Sequence, residues 1–209
     1  MVDEREIGNR VKGSVIGMIR GTGEVATTAV SEVASFVRST VKETGETGGA
    51  AANLGVGAVK GAIDAVGDIG GEAAQTAATT LTATVDAATQ VGSSVGNAAK
   101  GAVIGAVEGS SEVGAESAEA IGKTSRAAVN EAAMIGADVT TAAVGAVEGA
   151  IEAAKKTGIS VEDAASAAAT GAIEGAGEVS EAAAVRVRRS VEGVIQGVQV
   201  VAKTASGKG

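Results

Sequence analysis

Proline, cysteine, histidine, tryptophan and tyrosine are all absent from this chain of 209 residues, and Phe36 is its single aromatic residue. Each absence removes a class of explanation. Without cysteine there are no disulfides and no thiol chemistry, and without histidine the commonest general base and metal ligand is gone. Without aromatic rings a conventional globular core loses the side chains that supply most of its buried area. The apolar 45% is largely alanine and valine, which bury little surface each. Stability has to come from many small contacts distributed along a length. Platforms for stacking bases are missing too, and 25 acidic against 17 basic residues leave a net charge of −8 that repels a phosphate backbone. Nucleic acid is not an expected partner.

Long apolar runs are also lacking. Residues 73 to 85 and 87 to 99 are uncharged stretches of 13 residues each, separated by Asp86, and a membrane-spanning helix needs about 18 or more. The opening "MVDEREIGNR" carries three acids among its first six residues, which is not the pattern of a secretory signal. The expected compartment is the cytoplasm, with association at a membrane as an extension of that expectation.

What the chain does have is glycine, 32 of them, in register. "GSVIG" begins at Gly13, "GAVKG" at Gly57, "GAVIG" at Gly101 and "GAVEG" at Gly145, at intervals of 44. A second series, Gly48, Gly70, Gly92, Gly114, Gly136 and Gly158, is spaced by 22. Both intervals are multiples of eleven. Aligned in elevens from Gly13, the eighth column runs from Arg20 to Gln196 and is polar at every position except Val185. The second, third, sixth and tenth columns contain no charged residue, and the seventh contains only Glu162. A pattern with eleven residues in three turns has about 3.67 residues per turn, close to the natural period of the α-helix. The prediction is an all-α fold of long amphipathic helices.

On a wheel the columns fall in the angular order 1, 5, 9, 2, 6, 10, 3, 7, 11, 4, 8. Columns 2, 6, 10, 3 and 7 make a contiguous apolar face, and 4, 8 and 1 a polar stripe opposite. The first glycine series lies in columns 1 and 5, on the shoulder of that stripe, and the second in column 3, within the apolar face. Both are read as places where another helix lies close, because small residues four apart let two backbones approach. The residues assigned to helix packing are Gly13, Gly17, Gly57, Gly61, Gly101, Gly105, Gly109, Gly145 and Gly149.

The domain reading is a polar lead-in over 1–12, an eleven-residue repeat region over 13–205 and a flexible tail over 206–209. The best turn candidate is 157–160, where Lys155 and Lys156 precede Gly158, and Ser160 stands three residues before Asp163 as a capping box. The next is 44–49. Because the register runs through both, the alternatives are a few helices folded together or one rod of about 290 Å.

Motifs with catalytic or ligand-binding precedent are outweighed by the repeat. Gly21, Gly23 and Ala26 match a dinucleotide fingerprint, but no strand precedes them, and "IGKTS" at 121–125 has Ser117 where a phosphate loop needs glycine. Arg186, Arg188 and Arg189 read as a solvated helix face, with acidic lipid headgroups as the alternative. Glu112, Glu116 and Glu119 read as solvent-facing charges and not as a cation site. No catalytic residue, cofactor, metal or small-molecule substrate is expected.

The eleven-residue repeats with "GAVxG" cores and an Ala/Gly/Val face resemble prokaryotic Gly/Ala-rich hendecad coiled-coil proteins, whose composition lies between soluble and membrane helices. The resemblance implies a right-handed or nearly straight coiled-coil bundle and a homo-oligomer. A second likeness, to the eleven-residue repeats of perilipins and synucleins, is weakened because the face lacks bulky anchors and the flanking lysines are few. The expected function is that of a non-enzymatic self-assembling structural protein, one able to associate with membranes or to switch into them. The alternative is an amphipathic coat on lipid or polymer granules.

Overall fold

The computed structural model describes residues 9–10, 12–13, 35, 49–67, 80, 82, 84, 94–112 and 117–194. Among these the fold is all-helical. The bounded helices are α1 (Gly49–Gly67), α2 (Val95–Glu112), α3 (Ser117–Met134), α4 (Val139–Thr157), α5 (Val161–Val179) and α6 (Glu181–Val194). Helices α2 to α5 begin at Val95, Ser117, Val139 and Val161, 22 residues apart each time. Each is 18 or 19 residues long. A helix plus its turn therefore fills two elevens, which is why the periodic register passes through the turns unbroken.

The turns are built from local chemistry. At the end of α3, Ala137 N–H donates to Ala132 O (2.7 Å) and Gly136 N–H to Ala133 O (3.2 Å), with Gly136 at φ 71°. That pair of bonds satisfies the carbonyls a helix end leaves without partners, and the left-handed φ is one glycine adopts without steric penalty. Asp138 then caps α4, its carboxylate accepting from Thr140 N–H at 2.8 Å. Helix α4 closes at Gly158, φ 78°, whose N–H donates to Ala154 O, with Lys155 and Lys156 in the last turn. Ser160 Oγ accepts from Asp163 N–H at 3.2 Å and opens α5, with Glu162 and Asp163 in its first turn. Cations at the C-terminal end and acids at the N-terminal end both oppose the helix dipole. Between α5 and α6 a single extended residue, Ser180, ends one helix and accepts from Ala183 N–H to begin the next.

Two expectations are corrected by these turns. Gly136 and Gly158 do not pack against a neighbouring helix; both occupy left-handed turn positions, and a Cβ at either would meet nothing within 4 Å. The described members of the 22-residue series, Gly136 and Gly158, thus mark turns one helix apart, and Gly48, Gly70, Gly92 and Gly114 lie outside the described residues. The single rod is likewise excluded over 117–194, because the helix is interrupted at 135–138, 158–160 and 180. Of these breaks the sequence signals only the one at 158–160. Of the 44–49 candidate, Gly49 opens α1 and the rest lies outside the described residues, as do the 206–209 tail and most of the 1–12 lead-in.

The helices form two layers. Helices α1, α2, α4 and α6 lie side by side in one, α3 and α5 in the other, and α2, α3, α4, α5 and α6 pack successively across the layers. The apolar columns form the interior: Val59, Ile63, Val103, Val107, Ile121 and Val129 are the largest side chains that are fully buried. Alanine supplies most of the rest, including Ala99, Ala106, Ala128, Ala143, Ala150 and Ala172. The eighth column stays at the surface, exposed or half-buried, from Asn97 and Glu108 through Asn130 and Glu152 to Glu174 and Val185.

Candidate packing interface

Between α1 and α2, between α2 and α4, and between α3 and α5, the contact within a layer is made at glycine. A Cβ built on Gly105 of α2 would stand 2.5 Å from Val56 O of α1, and one on Gly109 would stand 3.0 Å from Ile63 Cβ. In α4, a Cβ on Gly145 would collide with Gly96 O, and one on Gly149 with Lys100 O, both in α2. The other layer repeats the arrangement, with Gly171 of α5 over Gly122 O and Gly175 over Arg126 O, the last at 2.7 Å. Gly105 over Val56, Gly145 over Gly96, Gly149 over Lys100, Gly171 over Gly122 and Gly175 over Arg126 are all separations of 49 residues. A constant positive offset means that neighbours within a layer run parallel. The 44-residue repeat supplies the equivalence, and the five extra residues are a stagger of about 7.5 Å along the helix axis. That stagger lays a glycine Cα–H against a carbonyl oxygen of the preceding helix, a weak hydrogen bond that only a residue without a Cβ permits.

Of the residues assigned to packing by sequence, Gly105, Gly109, Gly145 and Gly149 stand at these contacts, and Gly57, Gly61 and Gly101 are buried. Gly13 is a correction: it is exposed, and a Cβ there would meet nothing within 4 Å. Its repeat equivalents Gly57, Gly101 and Gly145 are buried, the last of them under α2. Gly17 lies outside the described residues. Sequence reasoning missed Gly96, Gly171 and Gly175. The last two form "GAIEG", the same frame with isoleucine in place of valine, and a pattern allowing either β-branched residue finds them.

Ion pairs cross the same joints on the solvent side. Lys60 of α1 bonds Glu112 of α2, Lys100 of α2 bonds Glu152 of α4 (3.0 Å), and Arg126 of α3 bonds Glu178 of α5. All three pairs are 52 residues apart. Lys156 reaches back to Glu108 at 4.0 Å, Arg126 to Glu174 at 3.9 Å, and Asn130 Nδ2 donates to Glu178 Oε2 at 2.6 Å, each across 48 residues. Burial draws the Lys60 ammonium down, but its hydrogen bond with Glu112 and the charges of Glu112, Asp64 and Glu108 outweigh this and raise it above 10.5. The Glu152 carboxyl is held below its ordinary value by the hydrogen bond from Lys100, against burial and with help from Lys156. Asp138 is lowered chiefly by the Thr140 backbone N–H it accepts as a cap.

The remaining motifs are placed as follows. Glu112 is paired with Lys60 and Glu119 with Lys123 four residues on, while Glu116 and the stretch 21–26 lie outside the described residues. "IGKTS" lies inside α3, where the Thr124 and Ser125 hydroxyls are buried without a hydrogen-bond partner. Arg186, Arg188 and Arg189 are exposed on α6. Among the described residues no helix is long and apolar enough to cross a membrane.

No protein-family model matches this chain, and no curated protein does. Among solved structures the chain is similar to the crystal structure of a de novo designed helical repeat protein, with 16% identity and a TM-score of 0.43, over 91% of this chain and 93% of that one.

Proposed function

We propose that this chain is a non-enzymatic, self-assembling structural protein whose eleven-residue repeats build a nearly straight, slightly right-handed array of helices. One observation carries the reading: the same glycine-over-carbonyl joint recurs at the same 49-residue offset in both layers. A surface that recognises the next repeat of its own chain is suited to recognising the same repeat in another copy, because the two are chemically alike. Acids of the exposed column, Glu108, Glu152 and Glu174, are already engaged across the joints by Lys156, Lys100 and Arg126, which favours a scaffold over a ligand site. The apolar columns face other helices of the chain, so contact with lipid requires the joints to open.

Light scattering after size exclusion, over a range of concentrations, tests the assembly, and negative-stain imaging gives its form. Discrete multimers that grow with concentration are expected, and a monomer at every concentration would overturn the proposal. Co-sedimentation with anionic and neutral vesicles tests the membrane extension, which falls if no protein pellets with either.

A further inference from the structure

The repeat joint also indicates how copies associate, and this step rests on the self-assembly reading above. We propose that the turn at 135–138 opens into continuous helix, so that α4, α5 and α6 of one copy leave α2 and α3 and dock in the same joints on a second copy. The assembly is then an exchange of repeats between chains, and the partner is a second copy of this chain.

Three observations converge on that turn. First, the joints it would break are those a second copy can restore: Gly145 over Gly96, Gly149 over Lys100 and Gly171 over Gly122, with Lys100–Glu152 and Arg126–Glu178 beside them. An exchanged dimer contains the same contacts as two closed monomers, so the balance between them is set by the turn and by protein concentration. Second, the eleven-residue register continues through 135–138 without a slip, and no proline interrupts it. Residues 117–157 can therefore run as one helix with their apolar columns still aligned. Most turns are protected from this because straightening them would rotate one helix face away from its partner. Third, the turn depends on one left-handed glycine, Gly136, and one cap, Asp138. It lies between repeats, so opening it leaves the α4–α5 pair intact.

The chain has no cysteine, so introduced thiols report without background. One preparation carries Lys100→Cys and the other Glu152→Cys, at the half-exposed ends of a cross-joint ion pair. The two are mixed, unfolded in urea, refolded together at high or low concentration, and treated with a short bismaleimide. A covalent heterodimer is expected after refolding at high concentration and is expected to be scarce after refolding at low concentration. If light scattering shows assemblies but residues 100 and 152 never join between chains, exchange is overturned while self-assembly stands. If no assemblies form, both fall.

Two hinge variants decide the route. Val139→Pro places proline at the first position of α4, where a helix needs no N–H, after an Asp138 that is already extended at φ −75°, ψ 107°. The closed turn accepts it and a continuous helix does not. The variant should keep parental helicity by circular dichroism and lose the covalent heterodimer. Gly136→Ala, which strains the turn and favours helix, should raise the heterodimer fraction several-fold. A Val139→Pro chain that exchanges as well as the parent, or a Gly136→Ala chain that exchanges no more, would sink the hinge assignment.

Discussion

Replacing glycines by alanine one at a time should divide them into three groups with different outcomes, and Gly105 is the sharpest case. In an isolated helix the change stabilises by about 1 kcal/mol. In α2 the new Cβ would stand 2.5 Å from Val56 O and 3.1 Å from Val56 Cα and Lys60 N, all backbone atoms of α1 that cannot swing aside. Relative to an ordinary 3.4 Å contact the shortfall is about 0.9 Å, so α1 and α2 must part or tilt by a comparable amount. A radial gap of about 0.5–1 Å forfeits roughly a quarter to a half of each dispersion contact it opens. Here those contacts include the buried Val56, Val59, Ile63 and Val107. Overpacking of this kind costs about 1–3 kcal/mol, and against backbone atoms that cannot move aside the upper part of that range applies, so the net loss after the propensity gain is up to about 2 kcal/mol. For a chain of this length that is a fall in Tm of up to about 8 °C. Gly177 supplies the opposite outcome: it is helical and exposed, and a Cβ would meet nothing within 4 Å. Gly177→Ala should therefore raise stability by up to about 1 kcal/mol. Gly158 has equally open surroundings but φ 78°, so Gly158→Ala should cost about 1–2 kcal/mol through backbone strain alone. Urea and thermal melts followed by circular dichroism at low concentration measure all three. If Gly105→Ala melts above the parent, as Gly177→Ala should, the close contact is not an interface and the account of the joints fails.

Stability should also respond to pH at both ends of the scale. Glu152 and Asp138 have lowered folded values, so their contribution is complete above the ordinary carboxylate range and is lost as pH falls through those lowered values. Lys60 is raised, so its contribution is present below 10.5 and disappears as pH climbs through the raised value. Urea midpoints across pH check both directions, with Glu152→Gln expected to flatten the acid limb. A double-mutant cycle on Lys100 and Glu152 should give a coupling of about 0.2–1 kcal/mol, because the two side chains are 30% and 42% exposed to water, and it should shrink in 1 M salt. A coupling that survives salt would place the pair in a drier site than this structure does. Deleting residues 101–144, one whole repeat, should leave a shorter protein that melts cooperatively. Deleting 101–133 keeps the eleven-residue register but removes most of α2 and α3, and should abolish the melt. Equal tolerance of both deletions would favour a rod over layered repeats.

Helix, its eleven-residue register and the choice of columns that face inward were legible in the sequence because they depend on local geometry. A residue's angle on the helix follows from its position, and exclusion of charge from four columns is a direct imprint of burial. The cap at 158–160 was readable for the same reason, since Lys155, Lys156, Gly158, Ser160 and Asp163 act on backbone groups within a few residues of themselves. Column positions marked Gly105 and Gly149 as small-residue contacts, yet the same columns also marked Gly136 and Gly158 as packing positions, and of these two only Gly158 has local cap signals that identify it as a turn. A helix plus its turn fills 22 residues, so a turn glycine and a packing glycine look alike in the register. Without such cap signals only the tertiary structure separates them, by left-handed φ at one and a carbonyl oxygen of the preceding helix at the other. The 49-residue offset and the 52-residue ion pairs were likewise invisible. They depend on how far one helix slides along its neighbour, and that stagger is set by where two backbones meet closely enough for glycine alone to fit.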